Sequence, residues 1–365
     1  MSFEKVGFIG LGLIGGSIAK TIKKKYPDTT LIATARHADT IQEAHDFGTI
    51  ENDTLLPLSD FADCDYIFLC TPVQQNLIYL KKLKSVIKPS CIITDVGSVN
   101  SDIHKAVTAL GMEANFIGGH PMCGSEKTGF FNATEYLLEN AYYIITPTAK
   151  TTPAQLEEFH ALVKSLGSVP MILDYEKHDF ATAAISHLPH IIASSLVNLV
   201  SDLDDEQETM RTIAAGGFKD ITRIASSSPV MWQNICLSNQ EQILKLTDCY
   251  IHALQNIRSS VADAKSDDII SFFQSAKDYR DSITTPVRGS LQKNYSVYCD
   301  LVDEAGAIAT LATIMASHNI SIKNIGILHN REYEDGVLQI EFYEEDALEK
   351  AVKLMEDNHY VVHRR

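Results

Sequence analysis

The chain of 365 residues lacks the features typical of secreted, zinc-binding and nucleic-acid-binding proteins. Its seven cysteines include no C-x-x-C pair, so neither a disulfide framework nor a cysteine-based zinc site is indicated. Positive charge is scarce, and the net charge of −16 disfavours nucleic acids and anionic membrane surfaces as partners. No apolar run reaches the ~18 residues that a membrane span needs. These absences favour a cytoplasmic protein with a small-molecule ligand.

A glycine-rich turn opens the chain. The run VGFIGLGLIGGSIA predicts a buried strand, a turn and a helix, with Gly10, Gly12 and Gly15 in a G-x-G-x-x-G pattern. The first glycine permits the tight turn, the second lets backbone amides approach a pyrophosphate, and the third lets the helix pack close to the strand. The glycines and the shortage of preceding positive charge argue against a signal peptide. The motif therefore predicts a dinucleotide-binding Rossmann domain.

The residues at the end of the second strand, TLIATA, do not decide between NAD and NADP as the cofactor. NAD-binding proteins usually carry Asp or Glu here for the ribose hydroxyls, whereas this chain has Ala35 and then Arg36. The guanidinium could bind a 2′-phosphate, which suits NADP, or stack on the adenine of either cofactor. The predicted cofactor-binding residues are Gly10, Leu11, Gly12, Leu13, Ile14, Gly15, Arg36, Thr71 and Pro72.

Further apolar runs alternate with helical patterns, which predicts a parallel, doubly wound sheet. These runs end at Thr71-Pro72, Gly97-Ser98 and His120-Pro121. Ligands of such sheets bind outside the carboxyl ends of the strands. We therefore expect the three ends to share one crevice, with His120 facing the nicotinamide.

From about residue 174 the pattern changes to helices with few strand signals. The run SHLPH carries His187 and His190, which share a helix face unless Pro189 breaks the helix. We predict no metal, because the run has no H-E-x-x-H and no third ligand nearby. Substrate binding and ordinary core packing stay open for the two histidines.

A second candidate segment follows in the helical region. The run GGFKDITRIASSSPVMWQN brings Lys219, Arg223 and the sole tryptophan, Trp232, close together in sequence. Two cations beside glycines and an aromatic ring suit a carboxylate-binding site, and a solvated surface helix is the alternative.

Five motifs occur in a fixed order: GLGLIGGS, DVGSV, HPMCGSEKTG, SHLPH and GGFKDITRIA. Together they resemble the prephenate dehydrogenases of tyrosine biosynthesis, over residues 1 to about 290. The resemblance implies a homodimer that converts prephenate to 4-hydroxyphenylpyruvate by oxidative decarboxylation, with hydride transfer to NAD(P)+. The chain departs from the family at Ala35, where many members have Asp.

The resemblance also implies roles for individual residues. His120 matches the histidine that hydrogen-bonds the ring hydroxyl of the substrate, and Ser98 matches its partner. A neutral imidazole can accept the hydroxyl proton as hydride leaves the same carbon. The other matching positions are the substrate binders His190 and Arg223, the gating carboxylate Glu126, and Lys219 and Trp232 of the substrate-binding segment.

The last eighty or so residues follow a polar linker, SITTPVRGSLQKN, and show the order βαββαβ of a ferredoxin-like domain. The turn VDEAGAIA resembles that of ACT domains, which bind amino acids. This resemblance implies an effector near Asp303 and Gly306, most reasonably L-tyrosine as the pathway's end product. A purely structural oligomerisation domain is the alternative.

The predicted fold is thus an α/β Rossmann domain at 1–173, an all-α substrate and dimerisation domain at 174–290, and an α+β ACT-like domain at 295–365. The predicted activity is prephenate dehydrogenase under tyrosine feedback. Arogenate dehydrogenase, whose substrate differs by one amino group, is the nearest alternative. A non-catalytic sensor of dinucleotide and amino acid is a more distant one.

Overall fold

The computed structural model describes residues 3–124, 127–283, 295–301, 306–328 and 336–363. The chain divides into two compact units, residues 1–269 and 270–365. Two predicted site residues, Glu126 and Asp303, lie outside the described residues.

The first unit begins with a parallel sheet of strand order β2-β1-β3-β4. Its strands are almost entirely buried, as expected where helices cover both faces of a parallel sheet. This confirms the predicted Rossmann architecture. The strands are β1 (Lys5–Ile9), β2 (Thr30–Thr34), β3 (Tyr66–Leu69) and β4 (Ile92–Asp95), and the helices are α1 (Leu13–Lys25), α2 (Ala38–Asp46), α3 (Val73–Leu83) and α4 (Ser101–Leu110).

A second sheet, of order β5-β6-β7, continues the first through a parallel bridge between Ile93 and Phe116. Strand β6 runs antiparallel to β5, so the prediction of a wholly parallel sheet is wrong at this point. Between them the described residues form only a 3₁₀ turn, Phe130–Asn132, and a parallel return needs a longer crossover. The elements are β5 (Ile117–Pro121), β6 (Tyr142–Pro147), α5 (Pro153–Ser165) and β7 (Val169–Ile172).

The rest of the first unit is helical. Helix α6 (Tyr175–Thr182) continues through a π-helical turn (Ala183–His187) into α7 (Leu188–Leu203). The π turn lies just before Pro189, which has no N–H to donate to the preceding turn. The following helices are α8 (Thr209–Ile213), α9 (Gly216–Thr222), α10 (Pro229–Ser238), α11 (Gln240–Ala262) and α12 (Ser266–Ser282), which extends past the unit boundary.

The continuous helix Tyr175–Leu203 is long and apolar enough in composition to cross a membrane, which the sequence analysis did not anticipate. One such helix is weak evidence, because core helices of water-soluble proteins meet the same criteria. This helix also carries a buried hydrogen-bonded pair, His178 and Asp179, whose carboxylate accepts hydrogen bonds from the backbone at the start of α4. That contact packs the beginning of the helix against the sheet domain, while most of the apolar window is not buried within this chain.

The second unit contains an antiparallel sheet of order β11-β8-β10-β9 with two helices. This arrangement confirms the predicted ferredoxin-like topology. Most of the predicted linker, residues 284–294, lies outside the described residues. The elements are β8 (Tyr295–Leu301), α13 (Ala307–Ser317), β9 (Ile322–Leu328), β10 (Gly336–Phe342), α14 (Glu345–Asp357) and β11 (Val362–His363).

Candidate active site

The three glycines of the turn between β1 and α1 differ in their surroundings: two are tightly packed and one faces open space. Gly10 has a φ of +97°, and a Cβ atom there would lie 2.8 Å from the carbonyl oxygen of Cys70. A Cβ at Gly15 would lie 2.5 Å from the carbonyl oxygen of Gly10, so this glycine permits close packing of helix on turn. A Cβ at Gly12 would meet nothing within 4 Å. Gly12 therefore faces space that a ligand can occupy.

The start of α1 suits an anion. The helix, which is described throughout, has no side-chain cap and no acidic residue in its first turn. Its first N–H groups therefore lack an internal acceptor and carry the positive end of the helix dipole. Residues of this turn fit the pyrophosphate of a dinucleotide.

The other predicted cofactor residues lie around the same edge of the sheet. Leu11 is buried, and Leu13 and Ile14 are half-buried. Thr71 follows β3, and its hydroxyl donates a hydrogen bond of 2.6 Å to Oδ1 of Asn76. Pro72, directly after Thr71, is exposed at the start of α3. Arg36 is exposed just after β2.

The ends of β4 and β5 are joined by a buried carboxylate. Asp95 accepts hydrogen bonds from the backbone N–H groups of Gly97 and Gly119, both at 3.1 Å. Burial raises the pKa of Asp95 to about 7, although these bonds oppose the shift. The carboxylate thus fixes half-buried Ser98 and buried His120 on adjacent strand ends. Among the described residues, the two side chains do not hydrogen-bond to each other.

His120 belongs to a buried polar chain that the sequence analysis did not find. Its Nδ1 lies 2.8 Å from Nε2 of His178, and Nδ1 of His178 lies 2.8 Å from Oδ1 of Asp179. The side chains of His178 and Asp179 are each 1% exposed. Asp179 also accepts hydrogen bonds of 2.8 Å from the backbone N–H groups of Asn100 and Ser101.

The charge states in this chain follow from burial and hydrogen bonding. Burial lowers the pKa of His120 to about 3, and the neighbouring His178 and His187 act in the same direction. Burial acts to raise the pKa of Asp179, but the bonds from His178, Ser101 and Asn100 outweigh it, so the pKa is lowered. At neutral pH His120 is therefore neutral and Asp179 is ionised.

A second buried histidine lies beside this chain. Nδ2 of Asn239, just before α11, donates to the carbonyl oxygen of Asp179 at 2.8 Å and to Nδ1 of His187 at 3.2 Å. Burial lowers the pKa of His187 to about 4. Pro189 does not break the helix, which continues through the π turn into α7, and the rings of His187 and His190 both contact Trp232, as expected for two residues on one helix face.

The substrate-binding residues predicted on the helices are partly brought together. The ring of His190 stacks on Trp232 with centroids 3.8 Å apart, and its Nδ1 donates to the carbonyl oxygen of Ser186 at 2.9 Å. Burial lowers the pKa of His190, and the charge of Arg223 contributes. Arg223 lies on a 3₁₀ turn packed against α7, and Lys219 is exposed on α9.

Trp232 carries a polar atom available for binding. Its indole Nε1 is buried and has no hydrogen-bond acceptor among the described residues. The indole also contacts His187 edge to face, with centroids 6.0 Å apart. Trp232 therefore contacts both His187 and His190, and His190 in turn lies near the charge of exposed Arg223.

Two further predictions concern metal and effector. Within the described residues, no group of three or more His, Cys, Asp or Glu side chains is arranged to hold a metal ion. Gly306 precedes α13 with a φ of +96° and is exposed, and its predicted partner Asp303 is not described. The left-handed backbone at Gly306 explains why glycine occurs there.

Two known family domains together match most of the first unit. The prephenate dehydrogenase nucleotide-binding domain matches residues 18–172, and the prephenate dehydrogenase dimerization domain matches residues 174–275. A prephenate dehydrogenase of Bacillus subtilis (strain 168) is 38% identical over 349 residues, which cover 95% of this chain and 94% of that protein.

Two solved structures are similar to the chain. Prephenate dehydrogenase from A. aeolicus, in complex with hydroxyphenyl propionate and NAD+, is 28% identical with a TM-score of 0.73, over 78% of this chain and 99% of that one. Arogenate dehydrogenase from Synechocystis is 31% identical with a TM-score of 0.69, over 77% and 100% of the two chains.

Proposed function

Because the chain belongs to the prephenate dehydrogenase family, we propose that it oxidises prephenate to 4-hydroxyphenylpyruvate and carbon dioxide. The observation that carries this proposal is the neutral, buried imidazole of His120 at a strand end, on the same sheet edge as the glycine turn. An imidazole held neutral can accept a proton there.

Oxidation of the substrate removes a hydride and a proton, and the site handles them in two places, the glycine turn and His120. The glycine turn would hold NAD+, which would supply the acceptor for the hydride that leaves the ring carbon bearing the hydroxyl. His120 takes the hydroxyl proton as that carbon becomes a carbonyl. The electron pair of the departing carboxylate then makes the ring aromatic, and the resulting phenolate oxygen takes a proton back. Ser98, on the adjacent strand end, is the proposed partner of His120 at the hydroxyl.

The remaining predicted residues hold the substrate's carboxylates. Arg223 and Lys219 supply positive charge in a protein whose net charge is −16, so local cations are needed to attract a dicarboxylate. His190 and Trp232 form the stacked wall beside Arg223. Glu126, outside the described residues, keeps its proposed gating role.

Arogenate is the second candidate substrate, because the similar Synechocystis structure is of an arogenate dehydrogenase. Near-ultraviolet absorbance of the reduced nicotinamide, measured with prephenate or arogenate and with NAD+ or NADP+, separates the four combinations. If the protein binds the cofactor but reduces it with neither prephenate nor arogenate, the proposal is contradicted and a non-catalytic sensor is favoured.

We further infer a cytoplasmic homodimer. Large apolar side chains stay exposed on the helices of the segment that matches a dimerization domain. They include Leu199, Leu203, Val230, Leu237, Leu244 and Val261, each more than half exposed. Burying such side chains between two subunits stabilises an obligate dimer. Light scattering on the eluting protein measures the oligomeric state directly.

The C-terminal unit is the proposed regulatory domain, with L-tyrosine as its effector. The ferredoxin-like topology and the positive φ of Gly306 at the start of α13 support a ligand at that turn. Calorimetry with tyrosine tests the proposal, and a chain ending near Asn294 should keep its activity while losing tyrosine inhibition. Absence of tyrosine binding by the full chain would favour a structural role.

A further inference from the structure

We propose that His178 and Asp179 are positioning residues for His120. Asp179 fixes a proton on Nδ1 of His178, His178 in turn fixes one on Nδ1 of His120, and Nε2 of His120 is left as the base. The inference rests on the proposed function, because it assigns how the proton of the substrate hydroxyl is received.

The proton positions follow from the two bonds of 2.8 Å. An ionised carboxylate only accepts hydrogen bonds, so Nδ1 of His178 must carry the proton that it shares with Asp179. The proposal assigns His178 the neutral form, in which Nε2 is then an acceptor. Nδ1 of His120 must therefore be the donor of the bond that joins the two histidines.

This chain decides which nitrogen of His120 can act. A neutral imidazole has two tautomers, and only the one protonated on Nδ1 offers a lone pair at Nε2. Among the described residues, Nε2 of His120 has no hydrogen-bond partner, so the bond to His178 is what selects the tautomer. Without that bond, a large share of the molecules would present an N–H group where a lone pair is needed.

The same chain places the positive charge that the reaction creates. The O–H bond of the substrate breaks and an N–H bond forms at Nε2 of His120. In the same step the proton on Nδ1 of His120 passes to Nε2 of His178. The cation then lies on His178, beside the carboxylate of Asp179, and His120 stays neutral. Burial disfavours a charge on His120, which agrees with its lowered pKa of about 3.

Asp179 has a second contact that makes it a poor test position. Its carboxylate caps the start of α4 through the N–H groups of Asn100 and Ser101, directly after the Ser98 loop. Replacing Asp179 would disturb both the loop and the histidine chain. His178 is the cleaner position, because its ring nitrogens bond only to Asp179 and His120 among the described residues.

The experiment is a double-mutant cycle with His178→Asn and His120→Asn. Asn at position 178 can keep the donor to Asp179 while losing the acceptor for His120. We expect His178→Asn to lower kcat by about 100-fold with little change in the KM for prephenate. We expect the double variant to be no slower than His120→Asn alone, because His178 acts only through His120.

A matched control is His104→Asn. His104 is also buried, at 4% exposure, but it bonds to Oγ1 of Thr146 and stacks on Tyr175 rather than joining His120. Any loss that it causes should multiply with that of His120→Asn. If the His178→Asn and His120→Asn losses multiply in the same way, the positioning role is wrong and His178 is structural.

A second measurement does not depend on turnover. Nitrogen chemical shifts of the histidine rings in wild-type protein labelled with ¹⁵N-histidine report which nitrogen carries the proton. The inference requires Nδ1 of His120 to be protonated and Nε2 to be bare, and the opposite tautomer overturns it. An enzyme with this tautomer that does not oxidise prephenate would contradict the proposed function and leave the histidine chain intact.

Discussion

The candidate site has two sides that differ in exposure. On one side, His120, His178 and Asp179 form a buried hydrogen-bonded chain. On the other side, Lys219 and Arg223 are exposed on short helical segments. The difference indicates two roles: the buried side fixes the positions of protons, and the exposed side binds the charged substrate. Substitutions on the two sides should therefore change different kinetic constants.

The largest expected effect is on the buried side. We predict that His120→Asn lowers kcat by roughly two to four decades, the usual range for loss of a general base. The KM for prephenate should change little, because the carboxylate partners remain. Steady-state kinetics with NAD+ measures both constants. Near-normal turnover in a folded variant would show that His120 is an ordinary core histidine with no catalytic role.

The same side should make the fold sensitive to acid. Burial lowers the pKa values of His104 and His187 to about 4 and of His120 to about 3, so these rings stay neutral when folded and take protons when unfolded below pH ~6.5. Stability is thus full above that pH and falls as the pH drops toward the folded pKa values. Asp95, whose pKa is raised to about 7, opposes this trend between about pH 4 and 7.

Between about pH 5 and 6 the net difference is about two protons, three from the histidines less one from Asp95, which corresponds to roughly a hundredfold change in the unfolding constant per pH unit. Denaturant titrations at several pH values in this range give the slope. His104→Asn should lower it by about one proton and provides the internal control. A slope that stays flat would show that these histidines are not held neutral by burial.

Sequence alone predicted the elements on both sides but not the chain that joins them. The G-x-G-x-x-G turn and the strand end at His120 are local features, and local pattern identified them. The bonds from His178 to His120 and from Asp179 to Asn100 join residues 58 and 79 positions apart. Nothing in a single sequence shows that two such segments meet. The adjacent His178-Asp179 pair within an otherwise apolar helical run is the one local signal that marks this segment as unusual.

The antiparallel course of β6 is a second case of the same limit. The direction of a strand depends on the connection before it, and among the described residues the connection from β5 to β6 holds only a 3₁₀ turn and no crossover helix. The absence of a long helical pattern between His120 and Tyr142 would have predicted the reversal. The roles assigned to all the site residues, His120, Ser98, His190, Arg223, Lys219, Glu126 and Trp232, stay predictions.

On the open side, Arg223→Ala should raise the KM for prephenate by roughly ten- to a hundredfold, since it removes a charge-assisted partner of a carboxylate. The kcat should fall much less than in His120→Asn, which sharpens the contrast between the two sides. Arg211→Ala is the matched control, because Arg211 is exposed on nearby α8 and pairs with Glu208. If both variants have the same KM, Arg223 does not bind the substrate.

The glycine turn offers a smaller and separate test. A methyl group at Gly12 meets open space in the protein, so Gly12→Ala should fold normally while weakening NAD+ binding by about tenfold through contact with the pyrophosphate. A methyl group at Gly15 lies against backbone, so Gly15→Ala should instead lower the thermal unfolding midpoint. Calorimetric titration and thermal unfolding of both variants separate the two effects. Unchanged NAD+ affinity in Gly12→Ala would place the pyrophosphate elsewhere.

The smallest expected effect concerns the cofactor's adenosine end, which lies on the exposed side of the sheet edge at Arg36. Only NADP+ carries a 2′-phosphate, and an exposed ion pair contributes little because water screens it. We predict that Arg36→Ala weakens NADP+ binding by about fivefold and NAD+ binding by less than about twofold. Titrations of both cofactors, with Arg211→Ala as the control for loss of a surface cation, measure the difference. Equal losses for the two cofactors would identify Arg36 as a residue that stacks on the adenine, because stacking does not distinguish a phosphate from a hydroxyl.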